Sequence, residues 1–261
     1  MLKLIPVFTP RSGMSVQECH DYLRLRHARL CASVPSFNRH MCKYVQNFAI
    51  EGTISAAGAS FGGAAECWFY SIEAFEQAFA EPSYAKFRED EQGFGDLTRL
   101  MLVPAEPTQV FGPDDPPRLK VMRFMNFREG VDRGEAWQFW VADYAREAVH
   151  DKRLRLAATS YVQNRPLSGV DHSFPTLLTC DAAEEFWLSH RDWWPEFVAA
   201  EQDLRERTGY DDLFAVDTRV EFLAESKSVW EVGQDPADAL PALEPQLIPS
   251  AGQGTGISRK D

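Results

Sequence analysis

One pattern occurs twice in this chain, and that constrains its fold more than any other feature. Tyr44-Val45-Gln46-Asn47 recurs as Tyr161-Val162-Gln163-Asn164, 117 residues further on. The same offset lays Leu2-Lys3 on Leu119-Lys120 and Gly13 on Gly130. Three matches in one register, each inside a similar hydrophobic pattern, point to duplication of a unit far longer than a solenoid repeat. Two copies of a small domain are expected. Chemistry kept by one copy and lost by the other must then show as a difference between them.

In the first copy, residues 2–8 form a β-branched and aromatic run that predicts a strand. Ser15-Val16-Gln17-Glu18 is a capping-box pattern that opens a helix to about Ala32, and Pro35 ends it. His40 to Ile50 alternates like a strand, Gly52 to Gly63 is a small-residue loop, and Ala65 to Tyr70 is another strand. Ile72 to Glu89 repeats apolar residues at helical spacing, and Thr108 to Phe111 suits a last short strand. The second copy reads the same way. Leu119 to Phe127 is a strand, a helix capped at Asp132 runs to about Val149, and Leu154 to Asn164 and Pro175 to Thr179 are strands. Asp181-Ala182-Ala183-Glu184 is read as the cap of a helix carrying Trp187, Trp193 and Trp194, and Phe214 to Phe222 closes the unit.

The order β-α-β-β-α-β is the ferredoxin-like arrangement, with helices on one face of a four-stranded sheet. The expected class is therefore α+β: two tandem ferredoxin-like repeats whose bare faces bury each other in an intramolecular, pseudo-dimeric α+β barrel. The boundaries fall at residues 1–112 and 118–224, joined by the proline-rich Gly112 to Pro117 linker. Residues 225–261 are expected to form an extended tail rich in Pro and Gly.

A formal charge of −12, with no basic stripe, argues against a nucleic-acid partner. No segment is long and apolar enough to span a bilayer, so no membrane partner is expected. Five scattered cysteines without a Cys-x-x-Cys pair suit a reducing cytoplasm. His20 and His27 lie about 10 Å apart along a helix, too far to grip one ion, and the other histidines form no short ligand pair. Phosphate-binding glycine loops are missing as well. Neither a metal nor a cofactor is expected, which leaves a small molecule, or further copies of the chain in a homo-oligomer, as partners.

Gly13-Met14-Ser15, then Tyr22 to Leu30 with its His27-Ala28-Arg29-Leu30 ending, Arg39 to Asn47, Trp68-Phe69, and Asp90-Glu91 near Phe94 resemble the EthD family of the dimeric α+β-barrel superfamily. The resemblance covers most of residues 1 to 111 and extends more weakly to the second copy. It implies the barrel fold described above. For activity it implies only a range: cofactor-free dehydratases, decarboxylases, isomerases and monooxygenases, and some haem proteins.

His27 shares a helix face with His20, Leu23 and Leu30, so it is expected to point inward. By itself that position suits a hydrogen-bonded core histidine as well as a general acid/base. The resemblance favours the second, because His27 matches the family's helix histidine, for which proton transfer is used or proposed. In the second copy the matching residue is Tyr144. Asp90, or the adjacent Glu91, is the candidate to orient the imidazole; a solvated acidic helix end is the plain alternative.

Tyr44 and Asn47, on opposite faces of one strand, and Trp68 on the next are candidate substrate contacts, together with Tyr22, Arg39 and His40. The function expected from the whole is a cofactor-independent lyase. It would dehydrate, decarboxylate or remove a small fragment from a hydrophobic, aromatic or phenolic compound by acid/base catalysis. The alternatives are a ligand-binding or accessory protein of the same fold and a haem-binding member of the superfamily.

Overall fold

A computed structural model describes residues 1–53, 61–113, 117–167 and 180–243. Its strands are β1 (Leu2–Phe8), β2 (Met41–Ala49), β3 (Gly63–Phe69), β4 (Met101–Phe111), β5 (Leu119–Met125), β6 (Ser160–Pro166), β7 (Ala182–Leu188) and β8 (Val220–Trp230). They close into one antiparallel barrel in the order β1-β3-β2-β8-β5-β7-β6-β4. Each half supplies four neighbouring strands, and the halves join edge to edge, β2 on β8 and β4 on β6. Closure pairs both edges of each of these eight strands.

Strand alternation divides the side chains between two cores. On β1, Ile5 and Val7 point into the barrel with Met101, Met122, Phe124 and Phe222. Leu2 and Leu4 point outward, into a layer roofed by helices. One end of the barrel interior is ionic. Lys3 Nζ lies 2.6 Å from Glu185 and 3.3 Å from Glu66, while Lys120 pairs with Glu66 and lies 3.3 Å from Glu185. Each half contributes one cation and one anion, and the indole rings of Trp68 and Trp187 cover Lys3 and Lys120, both at 4.7 Å. Burial alone would protonate Glu66, but Lys120 and Lys3 hold its carboxyl far below the usual carboxylate range.

Helix α1 is continuous and made of Val16–Tyr22, a π-wound Leu23–His27 and Ala28–Ala32. The Ser15–Glu18 capping box is formed in full. Helices α2 (Ile72–Ala80) and α3 (Tyr84–Glu91) follow β3. In the second half, α4 joins Arg133–Gln138, a π-wound Phe139–Tyr144 and Ala145–His150, and α5 is Trp194–Thr208. Because both first helices carry a π turn at matching positions, that distortion belongs to the fold and not to the chemistry of one residue.

Several expected elements are corrected. The helix expected over 72–89 is two helices, because Glu81-Pro82-Ser83 interrupts it and Pro82 has no N–H to continue the ladder. The strand expected from Leu154 begins only at Ser160, since Lys152–Ala157 is helical and capped by Asp151. Asp181 to Glu184 opens no helix: Ala182–Leu188 is β7, buried along its whole length, and a fully buried strand loses the alternation that would identify it. Its apolar spacing had the look of a helix. The strand expected over Pro175 to Thr179 lies outside the described residues.

The closing strands are also longer than expected, β4 starting at Met101 and β8 running to Trp230. Residues 225–230 are therefore sheet and not tail, held by pairing with β2. Beyond them, Ala239 and Leu240 pack against the first-half core.

Candidate active site

Between α1, α3 and the outer face of β1, β2 and β3 lies a cavity of about 80 Å³. Aromatic rings make most of its wall, among them Phe8, Phe69, Phe79, Tyr84, Phe87 and Phe94. Its polar groups are fewer: His27 and Cys31 on α1, Tyr44 on β2, Cys67 on β3, Tyr84, Arg88 and Glu91 on α3, and Asp96 beyond it. An apolar pocket with a small set of convergent polar groups is the usual form of a small-molecule site.

The π turn ends at His27 and turns its ring inward, where Phe94 packs on it at 5.1 Å between centroids. His27 Nδ1 lies 2.8 Å from Asp90 Oδ2, and the Tyr22 hydroxyl donates to Asp90 Oδ1 at 2.8 Å. Both carboxylate oxygens are thereby engaged, which fixes the carboxylate and with it the orientation of the imidazole ring. The other ring nitrogen, Nε2, stands 3.5 Å from Cys31 Sγ.

Burial alone would lower the His27 pKa. The Cys31 sulfur, the Asp90 hydrogen bond and the nearby Glu91 outweigh it and push the value up to about 10. Burial likewise opposes the Asp90 charge, but the hydrogen bonds from His27 and Tyr22 hold its carboxyl below the usual range. Glu91 is shifted upward by burial, against the pull of Arg88 and His27. The resting pair is an imidazolium on a carboxylate, so His27 enters as a proton donor.

Tyr44 is 1% exposed and lines the cavity, and its oxygen accepts from Gln46 Nε2 at 3.2 Å. The structure thus gathers His27, Asp90, Tyr22 and Tyr44 at one place. It takes the other candidates elsewhere. Asn47 is turned into the barrel, where it donates to Glu66 at 2.9 Å and accepts from Ser226. Trp68 lies inside the barrel too, over Lys3. Arg39 and His40 both bind Glu81 at the entry to β2, outside the cavity wall. Strand alternation accounts for the first two: Asn47 and Trp68 occupy the opposite face from Tyr44 and Cys67.

The corresponding space in the second half is filled. Arg123 stands at the position of Pro6, and its guanidinium reaches Glu184 at 3.1 Å, Glu201 at 2.6 Å and Glu221 at 2.5 Å. Glu184, three residues before Trp187 as Ala65 is before Trp68, accepts from Trp140 Nε1 at 2.7 Å and from the Tyr161 hydroxyl at 2.6 Å. Tyr144, at the place of His27, donates to Glu201 at 3.0 Å. Ala148 stands where the first half has Cys31. A packed polar network occupies the corresponding position.

Cys31 and Arg123 escaped the sequence reading. The first was recoverable, since a residue four after His27 lies one turn along the same helix face. The second was not, because its partners come from β7, β8 and α5.

Residues 11–98 match the family model described as the EthD domain. Similar solved structures include an anthrone oxidase-like protein, with a TM-score of 0.61 at 11% identity over 90% of this chain and 94% of that one. Another is a candidate monooxygenase from Fusobacterium nucleatum subsp. nucleatum, with a TM-score of 0.52 at 8% identity over 89% of this chain and 94% of that one. No curated protein matches the sequence. Residues 11–98 are thus similar to the EthD domain, and the eight described strands around them close into one antiparallel α+β barrel.

Proposed function

We propose that the first-half cavity is an acid/base site in which His27, held by Asp90, transfers a proton to or from a small hydrophobic compound, aromatic or phenolic in character. The observation that carries this reading is the 2.8 Å contact of His27 Nδ1 with Asp90 Oδ2 at the edge of an aromatic-walled cavity. An imidazolium donates best to a leaving oxygen, and Tyr44 O–H is a second donor for a developing oxyanion. Lyase chemistry fits those two donors: dehydration, decarboxylation or release of a fragment from a substrate that supplies its own electron sink. Both fold neighbours bear enzyme designations, which supports an enzyme in general, while the lyase class rests on the His27 geometry. A haem reading has less support, because both ring nitrogens of His27 are engaged, Nδ1 with Asp90 and Nε2 with Cys31.

We also infer that the two halves are a tandem duplication in which one cavity works and the other is structural. The shared offset, the shared order of strands and the paired π turns support it.

The test is incubation with a panel of phenolic acids and aromatic alcohols, with products followed by mass spectrometry. His27→Ala is expected to lower turnover about 10²- to 10⁴-fold with the fold retained. Tyr144→Phe is expected to change it little. Loss of activity in Tyr144→Phe with retention in His27→Ala would move the site to the other half. Saturable binding with no product from any compound would favour the accessory-protein reading.

A further inference from the structure

Acid/base chemistry needs only His27 and Asp90, yet the cavity also holds a nucleophilic atom in contact with them. Cys31 Sγ lies 3.5 Å from His27 Nε2, and His27 Nδ1 lies 2.8 Å from Asp90 Oδ2. Sulfur, imidazole and carboxylate thus stand in series, the order in which a base activates a nucleophile and a third group orients the base. Cys31 lines the cavity. We propose that Cys31 is a nucleophile of this cavity, activated through His27 and Asp90, and that it adds covalently to small apolar α,β-unsaturated carbonyl compounds.

Two further observations point the same way. In the second half Tyr144 and Ala148 stand at the positions of His27 and Cys31, so both members of the pair are changed together, while Tyr161 and Gln163 keep the counterparts of Tyr44 and Gln46. There the Tyr161 proton is committed to buried Glu184 at 2.6 Å. With Ala65 at that place in the first half, Tyr44, itself 1% exposed, has no carboxylate there and lines the cavity. The titratable groups that line the cavity with the sulfur are His27 on its own helix, Tyr44 on β2, Cys67 on β3, Tyr84, Arg88 and Glu91 on α3, and Asp96 beyond it. Of these, His27 and Tyr44 are proton donors suited to stabilise a thiolate. Burial raises the pKa of the other four cysteines, Cys19 to about 12 and Cys42, Cys67 and Cys180 in the same direction, so they remain neutral thiols.

The electrophile class follows from the surroundings. Cys31 lies in a helix, where the neighbouring backbone N–H groups are committed to the ladder, so there is no paired amide cradle of the kind acyl transfer uses. A thiolate adds readily to a conjugated carbon, and the walls suit an apolar ligand. The sulfur lone pair forms a bond to the β-carbon, the C=C pair moves toward the carbonyl, and Tyr44 O–H stabilises the enolate oxygen. The proton held by His27, originally that of the thiol, passes to the α-carbon. The product is a thioether, and the reverse sequence releases the ligand. No oxidant or other reactant is consumed.

This inference shares His27 with the proposed acid/base function, and its test separates the two. The ultraviolet thiolate band of the whole protein is to be measured against pH in the wild type, Cys31→Ser, His27→Gln and Asp90→Asn. N-Ethylmaleimide, itself an unsaturated carbonyl, is then added, and adducts are located by peptide mass spectrometry. The wild type is expected to show a thiolate band that appears at lower pH than those of the other cysteines, is lost in Cys31→Ser and is displaced upward in His27→Gln. Labelling of Cys31 is expected to exceed that of the other cysteines roughly tenfold or more, and to slow by a similar factor in His27→Gln. Asp90→Asn, which retains the imidazole, serves if His27→Gln does not fold and is expected to weaken both signals. Absence of a Cys31-dependent thiolate band, which requires no reagent access, overturns the proposal, as does labelling no faster at Cys31 than elsewhere. Either result leaves the acid/base reading standing if His27→Ala still abolishes turnover of the phenolic panel.

Discussion

If the second half is a scaffold built on Arg123, replacing that residue must cost the fold dearly. Arg123 is 1% exposed and is the cation shared by Glu184, Glu201 and Glu221. In Arg123→Met, Glu201 still has Arg205 at 2.8 Å, and Glu184 keeps its neutral donors. Glu221 and part of the Glu184 charge are left without compensation in a site closed to water. Breaking a buried pair from one side costs about 3–5 kcal/mol. For a chain of this size that corresponds to roughly 6–20 °C in Tm, at about 2–4 °C per kcal/mol.

The assay is urea unfolding followed by tryptophan fluorescence, with Trp140 bonded to Glu184 as a local reporter. The pH dependence gives a second reading. Burial opposes the Glu201 charge, but Arg123 and Arg205 hold its pKa down to about 2. Its stabilisation is therefore present above the ordinary carboxylate value of about 4.3 and is lost as pH falls from there toward 2. In the variant, uptake of protons relieves the carboxylates that have lost their cation. The gap between wild type and variant should therefore narrow from about pH 7 to about pH 4.5. A loss below about 1 kcal/mol, or a gap that is the same at both pH values, would refute the claim that Arg123 neutralises this cluster.

Asp90→Asn should lower the His27 titration midpoint, followed by NMR, by about 1–3 units, since it removes an opposite charge in direct contact. The wild-type pair stabilises the fold fully below the ordinary imidazole value and loses that contribution as pH rises toward about 10, so in Asp90→Asn the loss should move to lower pH. Gly63→Ala should destabilise by about 3 kcal/mol or more in urea, because φ is +142° and a Cβ would lie 2.1 Å from the Asn47 carbonyl oxygen. Gly13→Ala, with φ of +80° and open space around it, should cost only about 1–2 kcal/mol. Dialysis against a chelator should leave turnover of the phenolic panel unchanged; loss restored by one divalent ion would contradict the acid/base reading.

What the sequence revealed follows from where the information lies. The repeated Tyr-Val-Gln-Asn string and the Ser15–Glu18 cap are local signals, and they sufficed for the first strands, the first helix and the inward aim of His27. Asp90 could be named because the EthD resemblance supplied it, and Tyr22 came from the same motif although its partner proved to be a carboxylate. Face assignment failed for Asn47 and Trp68, since alternation separates two faces of a strand without telling which one meets the helices. β7 failed for a related reason: a strand buried on both sides carries no alternation. The network around Arg123 joins residues as far apart as Arg123 and Glu221, and nothing in their spacing announces it.

The edge pairings β2 on β8 and β4 on β6 have one more consequence. A barrel assembled from two identical subunits would be symmetric by necessity, so that every substitution would appear in both clefts. Here both seams lie within a single polypeptide, and their closure is independent of protein concentration. Each cleft can therefore change alone, and the strength of assembly places no requirement on the two being alike. Pro6 and Ala65 can line an open pocket on one side while Arg123 and Glu184 fill the other, and the rigidity of the filled side can hold the open one in shape.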